Sequence, residues 1–312
     1  MEERLLYFSA VLLAGILAQW LAWRFKLPSI LLLLATGFIG GQLYDASEIL
    51  ETRTLFAIVS LSVAIIMLEG GLTLKFKELK EAGIPILRLV GLGSLITWLL
   101  STVAAHYLAG FSWQVGLLLG AILVVTGPTV IGPLLRAVKP KKPVGAILKW
   151  EGIVIDPVGA VLAVLVFGAL FSHGDAHPSV AAGITRTLLI GGGLGWGAAY
   201  LLTLILRRHW VPDYLQSVVI LVVALALFAI SNHFQHESGL LTVTVLGIVL
   251  ANQTHAKVRH IIEFKENLRT LLISSLFIVL GGRIGIDDIM LVWREALLFL
   301  AALIIVIRPA SV

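Results

Sequence analysis

The chain has 312 residues, of which 59% are hydrophobic and only 13% are charged, and its mean hydropathy is +1.01. One soluble core cannot hide that much apolar surface, so the composition excludes an ordinary water-soluble domain and indicates a membrane protein. The formal net charge of +5 arises from connectors between apolar runs and does not indicate a nucleic-acid partner. The absence of cysteine excludes disulfides and thiolate metal sites.

The apolar stretches recur as runs of about 17 to 25 residues, the length at which a helix crosses a hydrocarbon layer of about 30 Å. Because the runs are continuous rather than alternating, helices are expected and a closed barrel is not. The first run has no strong basic leader and no small-residue cleavage site, so it is interpreted as a span rather than a signal peptide. The sequence therefore predicts an all-α, polytopic protein with one transmembrane domain of about eleven helices, at residues 5–23, 28–44, 54–73, 84–108, 113–137, 144–171, 180–206, 214–232, 238–253, 268–284 and 291–311.

Basic residues are concentrated in every second connector. The basic set consists of Arg24, Lys26, Lys75, Lys77, Lys80, Arg88, Arg136, Lys139, Lys141, Lys142, Lys149, Arg207, Arg208, Lys257, Arg259, Lys265 and Arg269. The other connectors, which include residues 44–54, 106–114, 172–179 and 231–238, hold almost no Lys or Arg beyond Arg53. Because positively charged loops stay in the cytoplasm, the N-terminus is predicted to face outward from a cell (inner) membrane.

Asp156 is the deepest carboxylate of the sequence, near the middle of the sixth apolar run. An aspartate at that depth destabilises insertion by roughly 2.5 to 3.5 kcal/mol, so its presence indicates a function. A proton and a metal cation can both neutralise such a carboxylate, and they compete for the same oxygens. The alternative is a structural role, in which Asp156 caps a broken helix or bonds a nearby hydroxyl.

The preceding run is interrupted twice by Gly-Pro pairs, at Gly127-Pro128 and Gly132-Pro133. Proline lacks the backbone donor and clashes with the preceding turn, so a discontinuous helix is predicted near residues 126–133. An unwound stretch frees carbonyls that lipid cannot satisfy but a cation can, and Thr126 and Thr129 add hydroxyl oxygens. A simple proline kink is the alternative.

Four motifs resemble those of the monovalent cation:proton antiporters of the sodium/proton exchanger type. They are Leu68-Glu69-Gly70-Gly71-Leu72, Thr126-Gly127-Pro128-Thr129, Glu151-Gly152 followed by Asp156, and Arg308-Pro309. The resemblance covers essentially the whole chain and implies an inverted-repeat transporter that is not an enzyme. It also implies that Asp156 binds the transported cation or a proton, that Thr126 and Thr129 contribute oxygens, and that Glu151 and Arg308 form a structural ion pair.

The sequence departs from that family at two positions of the site. Gly127 stands where the family commonly has an aspartate, and Ile155 stands where many relatives have an asparagine before the functional aspartate. With a single deep carboxylate, one proton is expected to exchange for one monovalent cation, Na⁺ or K⁺. No cofactor is expected, and the expected partners are lipid, the ions and a second copy of the chain.

Further expectations follow from the pattern. A second broken helix is not visible after the sixth run, and the last apolar run stops at Val312, so the chain is expected to be truncated and incompetent for transport alone. Glu69 is interpreted as a packing and turn element, and Arg283, Asp287 and Asp288 as ordinary loop charges near the predicted outer mouth. A passive channel or another inverted-repeat transporter, such as an organic-anion symporter, stays open, whereas the motifs of an intramembrane protease are missing.

Overall fold

The computed structural model describes residues 2–43, 51–127, 131, 134–135, 138–171, 180–253 and 259–312. The described residues form helices and short turns, without a strand. The helices are α1 (Glu2–Phe25), α2 (Ser29–Leu43), α3 (Thr52–Thr73), α4 (Phe76–Arg88), α5 (Ser94–Ala109), α6 (Trp113–Leu123), α7 (Lys142–Phe171), α8 (Val180–Arg207), α9 (Asp213–Phe234), α10 (Ser238–Asn252), α11 (Arg259–Gly281), α12 (Ile286–Ala302) and α13 (Arg308–Ser311). Single π-helical turns join α4 to α5 at Leu89–Gly93 and α12 to α13 at Leu303–Ile307.

Each of the eleven predicted runs overlaps one or more of these helices. Within the described part of the chain, seven helices are long and apolar enough to cross a membrane when helices joined by a π-helical turn are taken together. The shorter apolar helices are Ser29–Leu43, Trp113–Leu123, Ser238–Asn252 and Asn267–Gly281. The all-helical, polytopic prediction is confirmed, while the number of eleven crossings stays a prediction.

Seven helices, α1 to α3 and α8 to α11, pack into a group that we call the scaffold bundle. At its centre α10 lies between α3 and α8, with Leu68, Val243 and Leu246 fully buried. The backbones of α3 and α10 touch, because a Cβ atom at Gly71 would lie 2.6 Å from the Thr244 carbonyl oxygen. Glycine at such positions lets helices approach closely, which is how helices associate without a hydrophobic driving force in lipid.

The remaining helices, α4 to α7 with α12 and α13, form a second group that we call the site bundle. In it α5 packs against α6 and α12, and α7 packs against α4 and α6. Helix α7 also contacts α3, α8 and α10 of the scaffold bundle. The two bundles therefore meet along α7, the helix that contains Asp156.

The chain passes from the scaffold bundle to the site bundle in the short connector after α3. Asn252, the last residue of α10, donates its side-chain amide to the Leu74 carbonyl at 2.8 Å. Lys149 of α7 donates to the Thr73 carbonyl at 3.2 Å and pairs with Glu78 of α4 at 2.7 Å. Both bundles therefore hold this connector through side-chain contacts.

Candidate ion-binding site

Helix α6 ends inside the run that was predicted to be discontinuous. Its last residue is Leu123, and the residues from Val124 to Gly127 are not helical. Gly127 has a φ of 64°, a left-handed conformation that glycine adopts without the steric penalty of a Cβ atom. The other predicted break residues, Pro128, Thr129, Gly132 and Pro133, lie outside the described residues.

Asp156 lies on the face of α7 that is pressed against the broken segment. A Cβ atom at Gly152 would overlap the Ile131 side chain, and one at Gly159 would overlap Val125. Residues four before and three after a helical position share its face, so Asp156 lies between these two contacts. Its side chain is partly buried. Asp156 and the broken segment therefore lie next to each other in the fold.

Thr126 and Glu151 connect the break to α7 directly. The Thr126 hydroxyl donates to Glu151 Oε1 at 2.9 Å. Arg308 attracts Glu151 electrostatically, and its guanidinium donates to the Leu123 carbonyl at 3.0 Å. A cation is favourable at a helix C-terminus because the last carbonyls carry partial negative charge. Sequence reasoning expected Arg308 beside Glu151 but gave no indication of its bond to the end of α6.

Glu237 is a second acid near Asp156, and sequence reasoning missed it. It interacts electrostatically with Asp156 from the turn between α9 and α10. Leu241, one helical turn further, and Pro157, next to Asp156, line the same apolar cavity of about 240 Å³. Burial raises the pKa of the Glu237 carboxyl above its usual value, while the nearby His236 opposes that shift. The only sequence signal was an acid immediately before an apolar run.

A network of buried hydroxyls fixes the turn that contains Glu237. Ser231 and Ser238 share a hydrogen bond of 2.7 Å, and Thr242 donates to Ser231 at 2.7 Å. Asn232 accepts from the Gly239 amide at 2.8 Å. With these bonds in place, Glu237 holds a φ of 63°, which is uncommon for a residue with a side chain.

Glu69 has a charged partner in the scaffold bundle. Its carboxylate lies 3.0 Å from the guanidinium of Arg269 on α11, and the two side chains are only 7% and 15% exposed. The next residue, Gly70, contacts Ile153 of α7. The interpretation of Glu69 as a packing element was therefore incomplete, because an ion pair holds α3 to α11 beside α7.

Residues 8–312 match the model of a protein family described as "Sodium/hydrogen exchanger, transmembrane". The chain belongs to this sodium/hydrogen exchanger family. Similar proteins include the K⁺/H⁺ antiporter NhaP2 of Shewanella sp. (strain ANA-3), 28% identical over 93% of this chain and 51% of the relative. The low-affinity Na⁺/H⁺ antiporter NhaS1 of Synechocystis sp. is 25% identical over 100% of this chain and 59% of the relative.

The family assignment confirms the resemblance that the four motifs indicated. Among solved structures, the chain is similar to the sodium proton antiporter MjNhaP1 from Methanocaldococcus jannaschii, with a TM-score of 0.81 and 22% identity. The match covers 100% of this chain and 77% of that one, and at this identity it shows a shared fold. The chain spans about half the length of the curated relatives it matches. The exchanger family thus provides the fold, and the site must be argued from the residues of this chain.

Proposed function

We propose that the full-length protein exchanges protons for monovalent cations by alternating access, with Asp156 binding the cation and the proton in turn. The observation that carries the proposal is the position of Asp156 on the face of α7 that meets the broken segment. A carboxylate beside unwound backbone can hold either a proton or a desolvated cation, whereas one that faces lipid would stay protonated and could not bind a cation. The family of this chain supports the exchange reaction.

The remaining site residues have supporting roles in this proposal. Thr126 and Thr129 contribute oxygens to the cation, and Glu151 with Arg308 holds the break against α7. Similar proteins are named for K⁺ and for Na⁺, so both ions are candidate substrates. The protein acts as an exchanger and not as an enzyme, without a cofactor. It lies as a homodimer in the cell (inner) membrane, with its N-terminus outside.

The decisive test is Asp156→Asn in the full-length protein reconstituted into liposomes. A fluorescent pH gradient is imposed, and Na⁺, K⁺ and Li⁺ are added in turn. The wild type is expected to release protons on addition of its substrate cation, and the variant is expected to lose this exchange by at least about a hundredfold, because asparagine cannot exchange a proton for a cation. Asp287→Asn, at an exposed acid in the first turn of α12, is the matched control and should exchange normally. Normal exchange by Asp156→Asn would refute the proposal.

A single exchanging carboxylate sets the stoichiometry at one proton for one cation. No net charge then moves, and a membrane potential acts on transport only through net charge movement. The initial rate of exchange in the same liposomes is therefore expected to be independent of a potassium-diffusion potential, measured with Na⁺ as substrate. A rate that changes with the imposed potential would rule out this stoichiometry.

Two other functions would give different results in the same assay. A passive cation channel would show cation flux without coupled proton movement. An organic-anion symporter would show no proton release on addition of Na⁺, K⁺ or Li⁺ alone. The family assignment favours exchange over both.

A further inference from the structure

The hydroxyl proton of Thr126 has a defined partner at the break. A hydroxyl carries one proton to donate and two lone pairs to accept. In the structure Thr126 Oγ1 donates to Glu151 Oε1 at 2.9 Å. The proton is therefore directed toward α7, and the lone pairs of the oxygen are left for other partners.

Glu151 is well suited to hold that proton. An ionised carboxylate can only accept hydrogen bonds, and bonds to an ionised group are roughly twice as strong as those between neutral groups. Arg308 balances the charge of Glu151 and is itself bonded to the Leu123 carbonyl, at 3.0 Å. One pair of charged side chains thus holds both the end of α6 and the hydroxyl of Thr126, three residues later.

The orientation of this hydroxyl matters for a cation. A hydroxyl that rotates freely can point its proton at the cation and repel it, whereas an oriented one presents its lone pairs. We propose that Glu151 is a positioning residue, which raises the affinity for the transported cation by orienting the hydroxyl of Thr126. This inference rests on the proposed function, and it gives Glu151 a role beyond its structural pairing with Arg308.

A double-mutant cycle on the full-length protein in liposomes tests this role. Initial rates of cation-dependent proton release give KM for the cation and Vmax, for Thr126→Val, Glu151→Met and the double variant. Each single variant is expected to raise KM about tenfold with a smaller change in Vmax, because one oriented oxygen is lost. The double variant is expected to raise KM by the same factor and no more. Thr126→Ser, which keeps a hydroxyl, is expected to restore a KM close to the wild-type value.

Thr102→Val is the matched control, because its hydroxyl bonds the Trp98 carbonyl of its own helix at 2.8 Å. Its KM is expected to equal that of the wild type. The inference would be overturned if KM of the double variant rose by the product of the two single-variant increases, or if Glu151→Met left KM unchanged. If Glu151→Met does not reach the membrane, Glu151→Gln takes its place. Glu151→Gln is expected to raise KM about threefold. When it is combined with Thr126→Val, it must raise KM no further than Thr126→Val does alone.

The outcome also separates this inference from the proposed function. A wild-type protein without cation-dependent proton release would refute the function itself. Normal wild-type exchange, abolished by Asp156→Asn but with independent effects of Glu151 and Thr126, would refute only the positioning role.

Discussion

The scaffold bundle and the broken segment of the site bundle satisfy their polar groups in different ways. In the scaffold bundle, serine and threonine hydroxyls bond within or between regular helices, and the Glu69–Arg269 pair links two of them. At the broken segment of the site bundle, Arg308 donates to the carbonyl of Leu123, the last residue of α6. Thr126 lies in the non-helical stretch that follows and donates to Glu151 of α7. The comparison teaches that the polar contacts of the scaffold bundle join complete helices, while those at the broken segment hold a helix that is incomplete.

This difference has a consequence for mutations. Polar contacts between complete helices contribute chiefly to stability, because their loss leaves buried groups unpaired. In the proposed function, contacts at the break contribute to the geometry of cation binding. Variants at buried contacts between complete helices should therefore reduce the stability of the protein, and variants near the break should reduce its rate of exchange.

The largest expected effect is on stability, from Arg269→Met in the scaffold bundle. The change leaves the Glu69 carboxylate, which is 7% exposed, without its guanidinium partner. Removing one partner of a buried ion pair lowers the free energy of unfolding by about 3–5 kcal/mol. Thermal unfolding in detergent, followed by tryptophan fluorescence, measures the loss.

The control for this prediction is Lys149→Met in the site bundle. The pair of Lys149 and Glu78 has side chains that are 27% and 30% exposed, so solvent screens their charges. Its loss should lower the free energy of unfolding by about 0–1 kcal/mol. Equal losses for the two variants would contradict the distinction between the buried pair and the solvent-screened pair.

The next effect is on exchange, from Gly159→Leu on α7. The methyl group of Val125 can rotate away from an alanine, but a leucine side chain would push α7 from the broken segment. A displacement of about 1 Å at a site can lower a rate about a hundredfold. Gly168→Leu on the same helix is the matched control, because a Cβ atom there meets nothing within 4 Å. Equal exchange by both variants would argue against a site between α7 and the break.

The smallest effect is expected from Glu237→Gln, in the turn that faces Asp156 from the scaffold bundle. The variant removes one of two interacting negative charges, which together attract a cation more strongly than one alone. The KM for the cation should rise about two- to threefold, since water screens a turn that is only partly buried. Proton-release assays over a range of cation concentrations measure KM, with Asp287→Asn as the control. An unchanged KM would show that the charge of Glu237 does not contribute to attraction of the cation.

Much of the site can be anticipated from local sequence. Glycine and proline in the fifth run predict a broken helix, because both residues act on the backbone at their own positions. The depth of Asp156 follows from the apolar residues on both sides of it. Its role as the ion-binding carboxylate stays a prediction, as do the roles of Thr126 and Thr129. Glu237 could not be predicted, because its proximity to Asp156 depends on how α10 packs against α7.

By itself, the sequence determined an all-helical membrane protein of the exchanger family, because span length, hydropathy and short motifs are properties of neighbouring residues. Only the tertiary structure decided which face of α7 meets the break, and that Arg308 bonds the end of α6. It also decided that Glu69 pairs with Arg269, across 200 positions of the chain. The physical reason is that the rotation of each helix about its axis is set by packing against distant helices, and no local pattern encodes it.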